Sequence, residues 1–153
     1  MTSTLAPPVR RLALASLGAF AVVVLLGTVR SAPTPLKAWL AASPEAEHAM
    51  ASFHAHFDGL CWLGAAALAV ALHLLGTARA PAWAGPACAS GYLAGSLAFS
   101  SGYAVKGFGL ALGSPLLAKG LATALISGGG LLLVGAAAVA ALIAWSARAG
   151  APS

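Results

Sequence analysis

The chain has no asparagine, no glutamine, and only three acidic residues among 153: Glu45, Glu47 and Asp58. Charged residues of both signs make up 7% of it, against roughly 25% in an ordinary soluble domain. So few charges can neither cover the surface of a soluble fold nor solvate a disordered chain. The net charge is +5, but the eight Lys and Arg stand singly or as one pair, Arg10-Arg11. No basic stripe forms for a phosphate backbone, which excludes a nucleic-acid partner. Cysteine is scarce too. Cys61 and Cys88 both fall in apolar stretches and are spaced for neither a zinc site nor a redox pair, so they read as buried free thiols. Internal repeats, a phosphate loop, a nucleophile elbow and a zinc-protease signature are all missing. So is the polar–apolar alternation of a membrane barrel.

What remains is hydrophobic: 60% of the residues, with a mean hydropathy of +0.92. The uncharged runs Leu12–Val29, Gly59–Ala78, Ala80–Val105 and Gly120–Ala147 hold 18, 20, 26 and 28 residues. About 20 residues of helix cross roughly 30 Å of hydrocarbon. The spacing therefore predicts an all-α integral membrane protein, a single four-span transmembrane domain over residues 1–153. The four helices are expected near 12–30, 57–76, 84–105 and 120–147. Arg10-Arg11 before an apolar stretch resembles a signal peptide. The stretch is longer than a signal core, and Arg30 closes it where small residues should lead to cleavage, so it reads as a retained helix.

Four basic residues lie on each side of the bilayer in this arrangement. Those of the N-tail, second loop and C-tail are packed into shorter segments, which favours cytoplasmic termini in a bacterial inner membrane. Trp39, Trp83 and Trp145 fall where interfacial belts are expected. Gly91-x-x-x-Gly95, with Ser90, Ala94, Ser96 and Ser100-Ser101-Gly102 around it, lets helix backbones approach closely. Gly128-Gly129-Gly130 does the same in the last span. Such faces suit a tight bundle or an oligomer interface.

The polar residues concentrate in one place. All three acids and three of the four histidines lie between Ser43 and Gly59. Ser43 and Pro44 read as the cap and first position of a short interfacial helix that runs into the second span. Polar groups near membrane depth are costly and usually line a site. Histidines facing water at the boundary, with Asp58 capping the span or pairing with His54, are the plainer reading. His54 and His56 differ by about 200° around a helix, so only one can point into a given pocket. His73 lies about 25 Å further along the span and shares no metal with them; it reads as a satisfied bundle histidine.

His54-Ala55-His56-Phe57-Asp58, with Trp62 beyond, is similar to the opening of the second helix in haem–copper oxidase subunit I. The layout as a whole resembles the styrene oxide isomerases, compact four-span membrane proteins. Their Ser-Pro-Glu segment, Ala-His at the head of span two and polar loop between spans three and four have counterparts here. These are Ser43-Pro44-Glu45, Ala55-His56 and the stretch Lys106–Lys119. Asp58-Gly59 is the nearest counterpart of their Asn-Gly. The resemblance implies a homo-oligomer, a trimer, that binds ferric haem b and isomerises a small hydrophobic aryl epoxide to its aldehyde. It implies His56 as axial ligand, His54 as the alternative, Asp58 as partner of the ligand imidazole, and Tyr103, or less well Tyr92, near the substrate oxygen. Two other classes stay open: a non-catalytic haem or electron-transfer protein, with His48 or another subunit supplying a second ligand, and a cofactor-free structural or transport subunit.

Overall fold

A computed structural model describes residues 5–149, the side chains of 29–31 excepted, and every regular element among them is helical. The helices are α1 (Pro7–Ser31), α2 (Pro35–Ala41), α3 (Pro44–His56), α4 (Ala65–Leu75), α5 (Ala84–Ala111) and α6 (Ala122–Ala149). A π-helical segment, Phe57–Gly64, joins α3 to α4 without a break, and a second, Leu116–Leu121, leads into α6.

Local chemistry sets the ends. Proline opens α1, α2 and α3, at positions whose N–H has no partner within the helix. Thr34 Oγ1 accepts from Lys37 N at 3.2 Å and Ser43 Oγ from Ala46 N at 3.3 Å, satisfying two of the donors left over at the starts of α2 and α3. Gly76 and Gly113 end α4 and the turn after α5 with φ of 69° and 64°, a conformation that glycine adopts without a Cβ clash.

Among the described residues three helices are long and apolar enough to cross a membrane: Pro7–Thr28, Pro44–Leu75 and Leu116–Ala149. They have the dimensions of an integral membrane protein. The expected second span near 57–76 in fact begins at Pro44. The stretch Pro44–His56 does not lie along the boundary as a separate helix. Ala46 and Ala49 are buried, and Met50 sits against Gly107 of α5, which draws α3 into the bundle. The short separate helix is α2, Pro35–Ala41. The stretch Lys106–Lys119 is not an open loop either, since helix covers all of it but residues 112–115.

Successive long helices run antiparallel, so that α1 and α5 point the same way. A Cβ on Gly85, at the start of α5, would fall 3.2 Å from Pro8 Cγ at the start of α1. Arg79, in the turn after α4, donates from its guanidinium to Ala147 O at 3.3 Å, where a cation also meets the negative end of α6. The starts of α1 and α5 and the ends of α4 and α6 therefore share one end of the bundle. At the other end Gly109 closes on Ala118. Trp83 and Trp145 are exposed at the first end and Trp39 at the second, as belt residues should be.

α5 is the middle of the bundle, and its composition follows from that. Its buried residues are all small: Ala84, Gly85, Cys88, Ala89, Gly95, Ser96, Ser100, Gly102, Gly107 and Gly109. Gly95 meets α6 so closely that a Cβ would lie 2.9 Å from both Gly129 O and Leu133 N. The Gly91–Gly95 face is thus used within the chain, between α5 and α6, and is not open to a second subunit. Cys61 and Cys88 are buried and free, as expected.

Candidate functional site

His48, Ser52 and His56 recur every four residues and so share one face of α3, the face turned to α5. Ser52 Oγ donates to His48 O at 3.0 Å, and His56 Nδ1 lies 2.7 Å from Ser52 O. A carbonyl oxygen only accepts, so Nδ1 carries the proton. In the neutral ring the lone pair is then left on Nε2, the tautomer that a metal-ligating histidine needs. The imidazole lies flat on Tyr103, with centroids 4.6 Å apart and planes 6° from parallel, while Phe99 meets its edge at 5.2 Å. Phe99 and Tyr103 are one turn apart on α5 and pack on each other at 5.7 Å. The ring is therefore held by a hydrogen bond at one nitrogen, a stacked aromatic on one face and a second aromatic at its edge.

Beside it, α3 and α5 leave an open cleft of about 470 Å³. Ser52 and Tyr103 form its inner wall, and Glu45, His48 and Lys106 stand along its polar side. The volume is in the range of small-molecule sites.

His54 and Asp58 are elsewhere. One turn apart from each other, they occupy the opposite side of the same helix, as the 100° step per residue requires. His54 lines a smaller cavity of about 120 Å³ with residues of α1 and α2. Its Nδ1 is enclosed and has no hydrogen-bond partner, and Asp58 Oδ1 is enclosed and unpartnered in the same way. Asp58 therefore neither caps a span nor supports His56. The role expected of its carboxylate, taking the ring proton of His56, falls to Ser52 O, because a backbone carbonyl one turn back is within reach and a side chain two residues on is not. His73 is not a satisfied bundle histidine: it is exposed in the last turn of α4.

The π-helical segment directly follows His56. Its wider turn leaves backbone carbonyls to be shared, and side chains from two other helices supply the donors. Tyr92 OH donates to Leu60 O at 3.0 Å and Ser16 Oγ to Trp62 O at 3.0 Å. Tyr92 is thus occupied in holding the segment, which leaves Tyr103 as the tyrosine at the His56 site. Sequence reasoning missed Ser52, Phe99 and Lys106. The four-residue spacing of His48, Ser52 and His56 was the available signal for the first; the other two belong to α5 and are brought in by tertiary packing alone.

Among the described residues no three His, Cys, Asp or Glu side chains gather into a metal-holding group. A lone imidazole with a fixed tautomer suits instead a metal whose in-plane donors come with a macrocycle. Comparison with protein-family models, curated proteins and solved structures gives no match for the chain.

Proposed function

We propose that the chain is a four-span membrane protein that holds one haem b through His56 and isomerises small apolar epoxides to aldehydes. The observation that carries the reading is the 2.7 Å bond from His56 Nδ1 to Ser52 O, which leaves the lone pair on Nε2; the two residues that hold the ring, Ser52 and Tyr103, also line the cleft. Ferric haem, if held by His56, would supply Lewis acidity without redox turnover, the property that epoxide opening requires.

The chain's own residues do the rest. Ser52 O fixes the imidazole tautomer and its rotation. Tyr103 keeps the ring plane in place and offers a hydroxyl to the substrate oxygen. Phe99 covers the ring edge, and covering the open cleft would keep water from a carbon that bears positive charge, so that a hydride shift outruns hydration. His54 is the alternative ligand, but its ring has no bond that would fix a tautomer.

α5 is the fourth span in this reading. The end of α4 and the start of α6 lie at opposite ends of the bundle, so α5 must return through the same thickness. Its 28 residues extend about 42 Å, more than the hydrocarbon core requires. Its glycines and serines lower its hydropathy because they face protein, where small residues are favoured, and not lipid. The cleft is open along one side, where a further copy of the chain would cover it; a trimer is the assembly that the isomerase resemblance implies. The membrane is a bacterial inner membrane with both termini cytoplasmic.

The test is to incubate purified ferric protein with styrene oxide and other aryl and alkyl epoxides, without nucleotide or electron donor. Aldehyde is followed by gas chromatography. Aldehyde formation that dithionite suppresses is the expected result. Haem-loaded protein that gives no aldehyde from any epoxide is instead a non-catalytic haem protein, and protein without haem is neither.

A further inference from the structure

The cavity on the other side of α3 has no part in that chemistry. It lies under α2, with Leu40 as its roof, Leu26 of α1 as one wall, and Met50, Phe53 and His54 of α3 as the other. Trp39 of α2 stacks on Phe108 of α5 at 6.2 Å and ties the helix down. Its volume of about 120 Å³ is close to that of an apolar cavity, about 150 Å³, that stays dry and takes up benzene. Unlike that one, this cavity opens on one side and is lined also by Thr34, Lys37, Glu47 and His54, and the buried Nδ1 of the His54 ring has no hydrogen-bond partner. Buried polar atoms are nearly always paired. Nδ1 itself is enclosed; because no hydrogen bond holds that nitrogen, a turn of the ring about its second side-chain torsion would exchange the edge that carries it.

We propose that the cavity beneath α2 is a second binding site, for a small aromatic or alkyl molecule that carries one oxygen: an alcohol, aldehyde or epoxide. The apolar body packs on Leu26, Leu40, Met50 and Phe53, and the oxygen meets His54. The site does not depend on haem, because His54 and His56 face opposite sides of the helix.

Met50 reports on the site. It lines the cavity, and Met1 is the only other methionine in the chain, so a protein labelled with ¹³C-methyl methionine gives two assignable signals. Benzyl alcohol is titrated into the purified full chain in detergent micelles, with toluene in parallel as the probe without oxygen. A saturable shift of the Met50 methyl signal is expected. Benzyl alcohol should bind roughly three- to tenfold more tightly than toluene, the share of one neutral hydrogen bond. His54→Phe should remove that preference while still binding both, and Ala51→Phe, which fills the cavity, should remove the shift. A shift that only grows linearly with probe, as partition into the micelle gives, overturns the proposal in the wild-type protein alone. So does an unchanged preference for the alcohol in His54→Phe. Neither result bears on whether His56 holds haem.

Discussion

Three glycines on α5 and α6 differ only in what a methyl group would meet, and this makes them a graded test of the packing. At Gly95 a Cβ would sit 2.9 Å from Gly129 O and Leu133 N and 3.0 Å from Leu132 Cβ. Two of these are backbone atoms of α6 and cannot turn aside, so the helices must separate by several tenths of an ångström along a tightly packed crossing. Overpacking of this kind costs roughly 1–3 kcal/mol. Replacing a helical glycine by alanine returns about 0.5–1 kcal/mol of backbone entropy. Gly95→Ala should therefore destabilise by about 0.5–2 kcal/mol. At Gly91 the nearest atoms are Ala136 Cβ at 3.7 Å and Leu132 O at 3.8 Å, ordinary contacts. At Gly128 nothing lies within 4 Å. Both alanine variants should be neutral or gain up to about 1 kcal/mol. Thermal unfolding in a single detergent, followed by circular dichroism, gives the order Gly128→Ala and Gly91→Ala at or above wild type, and Gly95→Ala below. Gly91→Ala as damaging as Gly95→Ala would refute the register in which α5 crosses α6.

Two further outcomes bear on the bundle core. Tyr92→Phe removes the hydroxyl bond to Leu60 O, but that carbonyl still accepts from Ala65 N, so the loss in the same melt should stay near 0.5–1 kcal/mol. Cys61 and Cys88 are 7% and 0% exposed, so N-ethylmaleimide should label neither in the folded protein and both after denaturation in SDS; rapid labelling of the folded protein would contradict their burial.

Much of the architecture was legible because a bilayer leaves so few options. Charge spacing alone located α1, α5 and α6 to within about a turn at most of their ends. Ser43 and Pro44 marked the start of α3 because capping is a local effect that a short motif can carry. What the motif could not convey is that α3 continues unbroken to Leu75. Its polar face read as a boundary helix, yet Met50 and the Ala46 carbonyl pack on Gly107 of α5, distant in sequence. The site divided in the same way. The opposite facing of His54 and His56 followed from helical geometry. Which carbonyl holds His56 did not, because a backbone acceptor leaves no trace in residue identity. Asp58 drew attention as the acid nearest His56, whereas its position on the helix sends it to the far side.

The account turns on His56, and the absorption spectrum of the purified protein tests it most directly. Wild-type protein expressed with haem available should show a Soret band at stoichiometric haem. His73→Ala, which alters an exposed residue on the outside of α4, and His54→Ala should both retain it. His56→Ala should lose it while its circular dichroism stays that of the wild type. Equal haem in His56→Ala and wild type, or loss of the band in His54→Ala with His56 intact, would contradict the assignment.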